Sequence, residues 1–152
     1  MEPDRTTDLK ASLTRLKQTL ETPVVSGERR RWLEDLLQAF LNAGYLYRRE
    51  VEETHRNRFD KLSRHGKSVD VRVEQMRDND ADLLLTWNRL DTELVKLCDA
   101  VIESERQDAK LSERVTAFSA QAINLIKDVR KHEAELLTWY KESLQRDRGR
   151  GD

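Results

Sequence analysis

Apolar residues along this chain return every third or fourth position and sort into four stretches, each with the period of a helix buried on one side. In the first, Leu9, Leu13, Leu16 and Leu20 predict a helix over about 7–21, with Thr6 or Thr7 as its N-cap and Thr22-Pro23 as its end. Residues 24–27 read as a short linker in which Ser26 caps the next helix. The second stretch, about 28–64, carries Leu33, Leu37, Phe40, Gly44, Tyr47, Val51, Thr54 and Arg58 at alternating steps of four and three. Leu36, Leu41, His55, Phe59 and Leu62 flank that stripe. Gly44 costs about 1 kcal/mol against alanine inside a helix, so a bend or a close helix crossing is expected there. His65-Gly66 supplies the stop, a cation in the last turn followed by the residue that best adopts a left-handed cap.

The third helix is expected over about 68–105 on Val73, Met76, Asp80, Leu83, Trp87, Leu90, Leu94, Leu97 and Val101. The fourth, about 108–146, runs on Leu111, Val115, Phe118, Ala122, Leu125, Val129, His132, Leu136, Trp139 and Ser143. A break near Gln107 separates these two without help from Gly or Pro, and the polar tail 147–152 is expected to fray. Leu83, Trp87, Leu90, Leu94, Leu97, Leu125, Val129 and Leu136 should form the deepest core. Three of the helices would be about 55 Å long. Short connections then predict an all-α, antiparallel up-down four-helix bundle with one shorter N-terminal helix and three long ones, in a single domain over 1–152. The alternative is an extended coiled coil that completes its core with a second copy.

Composition supports this class and removes others. With Gly 5 and Pro 2 in 152 residues, and 38% charged against 6% aromatic, the chain lacks the turns of a sandwich, barrel or wound sheet. Lys and Arg number 28 against 29 acidic residues, so there is no basic excess to drive nucleic-acid binding. No apolar run approaches membrane-spanning length. The first residues carry no apolar segment of a secretory signal, and lone Cys98 cannot form an internal disulfide; both fit the cytoplasm.

Candidate chemistry lies where the stripes turn polar. Asp80 falls between Met76 and Leu83, and His132 between Val129 and Leu136, while His55 sits at the edge of its stripe. Glu135, three residues after His132, completes a His-x-x-Glu pair on nearly one helix face. Buried carboxylates and imidazoles are costly unless paired or metal-bound. Imidazole and carboxylate projected inward from facing helices are also how helical bundles hold iron or manganese. Three readings stay open: Asp80 and His132 pair with each other or with Arg58; His55, Asp80, His132 and Glu135 ligate a metal; or the stripe is out of phase and these groups are half solvated. Counted from Gly66 and Gln107, His55, Asp80 and His132 fall within about 5 Å of one level. His65 reads as a helix-capping cation, Cys98 as a core filler and Trp32, Trp87 and Trp139 as packing. Arg29-Arg30-Arg31 reads as solvated surface, and Arg150-Gly151-Asp152 as a chance match to an adhesion tripeptide. No phosphate loop, paired-cysteine motif, zinc-protease helix or nucleophile elbow occurs.

The segment His132-Glu133-Ala134-Glu135-Leu136-Leu137, through the tail Asp147-Arg148-Gly149-Arg150-Gly151-Asp152, resembles the end of bacterial hemerythrin-like proteins. Met76-Arg77-Asp78-Asn79-Asp80-Ala81-Asp82-Leu83-Leu84 is similar to that family's third-helix motif, and His55 matches its second-helix histidine. The resemblance covers about 28–152 and implies a helical bundle around an iron pair. The chain departs from it at the ligands: it holds three histidines in all, Phe59 and Leu136 stand where carboxylates are expected, and Asn79 or Asp80 replaces a histidine. The expectation is therefore a non-enzymatic bundle with a degenerate metal site and a structural or interaction role, with a protein partner or self-association and no cofactor. The alternative is an iron- or manganese-binding, redox or oxygen-sensing bundle using His55, Asp80, His132 and Glu135.

Overall fold

A computed structural model describes residues 5–25, 27–65, 67–103 and 109–150. They are helical almost throughout, with no strand among the described residues. We label the helices α1 (Arg5–Glu21), α2 (29–65), α3 (Lys67–Glu103) and α4 (Ala109–Arg150). The expected roles of Ser26, Gly66 and Gln107, and the last two residues of the tail, lie outside the described residues. Thr6 and Thr7 stand inside α1, which is already helical at Arg5, and α4 stays helical through Arg150, past its expected end at 146.

The α1–α2 connection is built from local bonds. Thr22 returns its amide and its hydroxyl to the Gln18 carbonyl, 3.0 and 2.7 Å away, closing the last turn before Pro23. Gly27 has φ +87, a left-handed value that glycine adopts without strain. Trp32 then donates its indole N–H to the Thr19 carbonyl at 3.0 Å, tying the start of α2 to the end of α1.

The helices pack α1 on α2, α2 on α3, α3 on α4, and α4 back on α1, and the Arg56–Leu62 end of α2 also reaches α4. Gly44 makes one of these approaches close, since a Cβ there would lie 3.3 Å from the Trp87 ring. Trp87 in turn tilts against Phe40 with ring centroids 4.8 Å apart. The expected core residues are buried except Leu83, which shares the shoulder of its stripe with Leu84 so that both are half-buried.

The second stripe keeps its phase only as far as Tyr47. Residues Glu50–His55 form a π-helical turn between α-helical Arg29–Arg49 and Arg56–Leu62, and the helix closes with a tight turn at Ser63–His65. A π-turn spends an extra residue per turn, so the face that was inward moves on by one position. Val51, Thr54 and Arg58, expected inside, are half-exposed, whereas His55, Phe59 and Leu62 are buried. The same shift puts Glu50 and His55, five residues apart, on one inward face.

The buried apolar residues form two separate clusters. The larger runs from Leu9 and Leu33 through Trp87 and Leu97 to Val129. The smaller gathers Phe59, Leu62, Val73, Met76 and Leu136. Between them, on α2, α3 and α4 alike, the buried position is polar.

Candidate metal centre

Each of the three long helices contributes to this intervening layer. α3 presents Asp80 one turn after Met76, α4 presents His132 one turn before Leu136, and the π-turn of α2 presents Glu50 and His55. All four are buried, His55 completely. Asp80 is the hub. It accepts a hydrogen bond from His132 Nε2 at 2.7 Å and faces His55 Nδ1 with both carboxylate oxygens at 3.0 Å. The Tyr47 hydroxyl donates to it at 3.3 Å. On its far side, His55 Nε2 meets a carboxylate oxygen of Glu133 as an ion pair. The imidazole is therefore clamped between two carboxylates.

These contacts set the charges. Burial alone would lower the His55 pKa, but the bonds to Asp80 and Glu133, and their negative charges, outweigh it and push the value up to about 9. Burial would likewise raise Asp80, yet the hydrogen bonds from His132 and His55 hold its carboxyl below the usual carboxylate range. Burial, with the nearby negative charge of Glu133, raises Glu50; His55, Thr54 and Arg58 oppose that shift in part. The Tyr47 phenol is raised by burial and by the charges of Asp80 and Glu133, so it acts here as a hydrogen-bond donor.

Three of the four residues proposed from sequence, His55, Asp80 and His132, thus meet in one buried layer. Glu135 does not join them. It is exposed on the open shoulder of α4, 4.0 Å from Lys131 one turn earlier. His55 approaches from the α2 side, so the residue one step on from His132 reaches it and the residue three steps on points away. Glu133 takes the place assigned to Glu135. Glu50 was missed for a different reason: the buried face of α2 runs Leu36, Phe40, Ala43, Tyr47 and Glu50, one position before the stripe read through Gly44 and Val51. Arg58, a proposed partner for Asp80, instead lies over the Tyr140 ring, 5.4 Å from its centroid.

The layer contains two overlapping triads, His55/Asp80/His132 and Glu50/His55/Glu133. In each, one ligand atom from every residue lies within 4.8 Å of the others. Mixed imidazole and carboxylate donors suit first-row divalent ions such as iron, manganese and zinc. The donors fit one ion better than two. To serve both triads at once, His55 would have to give both ring nitrogens as an imidazolate, the opposite of the imidazolium its neighbours favour. Comparison with family models, with curated proteins and with solved structures found no match for this chain. No helix among the described residues is long and apolar enough to cross a membrane.

Proposed function

We propose that this chain is a hemerythrin-like, antiparallel up-down four-helix bundle that takes up a single divalent iron or manganese ion in its His–carboxylate layer. The antiparallel arrangement is supported by the order of contacts. Cys98 lies against Leu33, Asn88 against Arg48 and Asp80 against His55, so α3 numbers fall as α2 numbers rise. Arg89 with Gln121, and Asp80 with His132, run in opposite order along α3 and α4. One observation carries the metal reading: two imidazoles and three carboxylates from three helices meet in one layer between two apolar clusters. His55, Asp80 and His132 would hold the ion, with Glu133 and Glu50 adjoining. When bound, such an ion supplies Lewis acidity and, for iron, one-electron chemistry. The protein residues fix its donors and shield it between the apolar clusters. We read the chain as a binding protein of the cytoplasm that works with a protein partner or a second copy, not as an enzyme.

A second reading is favoured by the saturation of Asp80, which already receives bonds from His132, His55 and Tyr47. In it the layer is a self-paired relict with a structural or interaction role and needs no ion. Equilibrium dialysis against Fe(II) or Mn(II), followed by elemental analysis, separates the two. One equivalent per chain, lost in Asp80→Asn, is the expected result. Two equivalents would restore the iron pair, and none would leave the self-paired layer.

A further inference from the structure

Beside the polar layer, α1, α2 and α4 enclose a cavity of about 450 Å³, within the ~300–1,000 Å³ range of small-molecule sites. Its walls divide by chemistry. Leu9, Leu13 and Leu137 form an apolar side, and Lys10, Arg58 and Arg130 bring three cations to its rim. Glu50 and Glu133 close the inner end. Glu133 is already spent on His55. The cations are only partly so: among the described residues Arg58 lies over Tyr140 and its charge acts on Glu50, whereas Arg130 bonds the neutral Thr14 hydroxyl at 3.2 Å.

We propose that this cavity binds an aliphatic carboxylate, its anionic head among Lys10, Arg58 and Arg130 and its chain along Leu9, Leu13 and Leu137. A neutral amphiphile would leave the charges of Lys10 and Arg130 without an anionic partner in the cavity mouth, and an amine would meet three like charges before reaching the carboxylates. A guanidinium pairs a carboxylate through two parallel N–H donors, which selects this head group over a halide or a hydroxyl. Lys10 and Arg130 are exposed and lie outside the metal-ligand set, so this site stands or falls separately from the metal.

Calorimetric titration of the full-length protein with octanoate, octan-1-ol and octylamine tests the assignment. Octanoate should saturate at one site per chain. The Lys10→Gln/Arg130→Gln double variant should weaken it at least tenfold, and Arg89→Gln, in the groove between α3 and α4, should leave it unchanged. Circular dichroism should give all three proteins the same helix content and melting point. Octan-1-ol binding as well as octanoate would overturn the proposal, because the leucines alone would then account for binding. Tighter binding of octylamine would hand the cavity to Glu50 and Glu133 instead. Absence of saturation, or an unweakened double variant that is fully folded, would equally remove the site.

Discussion

The two apolar clusters on either side of the polar layer differ in what holds them. The larger is packed by all four helices and includes tilted and edge-on aromatics, with Phe40 between Trp87 and Phe118. The smaller has five buried members, drawn from α2, α3 and α4, and its α2 members arrive only because the π-turn has moved the inward face. One cluster arises from spacing alone. The other depends on an irregularity and on the charged layer that separates it from its neighbour.

The sharpest test of that difference removes the hub. Asp80→Ala leaves a buried imidazolium facing one carboxylate fewer and should cost about 3–5 kcal/mol, measured by urea unfolding. Replacing His55, Asp80 and His132 by leucines together with Glu50→Gln and Glu133→Gln, so that no carboxylate is left without its partner, should be neutral, or stabilising by about 1–4 kcal/mol, since it joins the two clusters into one. If this combined variant were as unstable as Asp80→Ala, the layer would be needed for packing rather than for its charges.

Truncation within the clusters comes next. Leu94→Ala, at a fully buried site in the larger cluster, should cost about 2–5 kcal/mol. Leu62→Ala is equally buried but sits where the smaller cluster can collapse around the loss, and it should fall toward the lower end of that range. Equal losses at the two sites would mean that the clusters are equally rigid.

Acidity acts on the layer and not on the clusters. The His55 pKa is raised from 6.5 to about 9, so its stabilising contribution is complete below pH 6.5 and is lost as pH rises through 9. The Asp80 value is lowered from 3.8, so its contribution is complete above that pH and is lost as the medium becomes more acidic. Melting points should therefore be highest between about pH 4 and pH 6.5 as far as these two groups decide it, and His55→Gln should flatten the alkaline fall. A wild-type melting point that stays level from pH 6 to 10 would contradict the clamp around His55. The smallest expected effect is that of Tyr47→Phe, which deletes one bond to a carboxylate that keeps two others and should cost about 1 kcal/mol in the same unfolding experiment.

Much of this arrangement was legible in the amino-acid sequence, for a physical reason. Leu90, Leu94, Leu97, Leu125 and Val129 lie on uninterrupted α-helical stripes, where period and burial are the same information. Asp80 and His132 were visible as polar breaks in those stripes, and their burial decides against the out-of-phase alternative that spacing alone left open. What stayed hidden depends on geometry that spacing does not encode. The inward placement of His55 and the phase of Phe59 and Leu62 require the π-turn, whose local sequence, Glu50-Val51-Glu52-Glu53-Thr54-His55, has neither Gly nor Pro to announce it. The exchange of Glu135 for Glu133 depends on which side of α4 faces α2, a relation between helices that no single stripe contains.

The π-turn also sets where the backbone can open. Its wider ring interrupts the regular ladder of α2 midway, next to side chains that are held by charge rather than by packing. Residues 56–65 and the smaller cluster can therefore detach as a unit while 29–49 stays locked to α1 and α3. In amide hydrogen exchange this would show as a step at Glu50–His55, with slow exchange before it and markedly faster exchange after it. A uniform profile along α2 would mean that the two segments open together. With the step at Glu50–His55, the irregularity that brings His55 inward is also the hinge through which water reaches it.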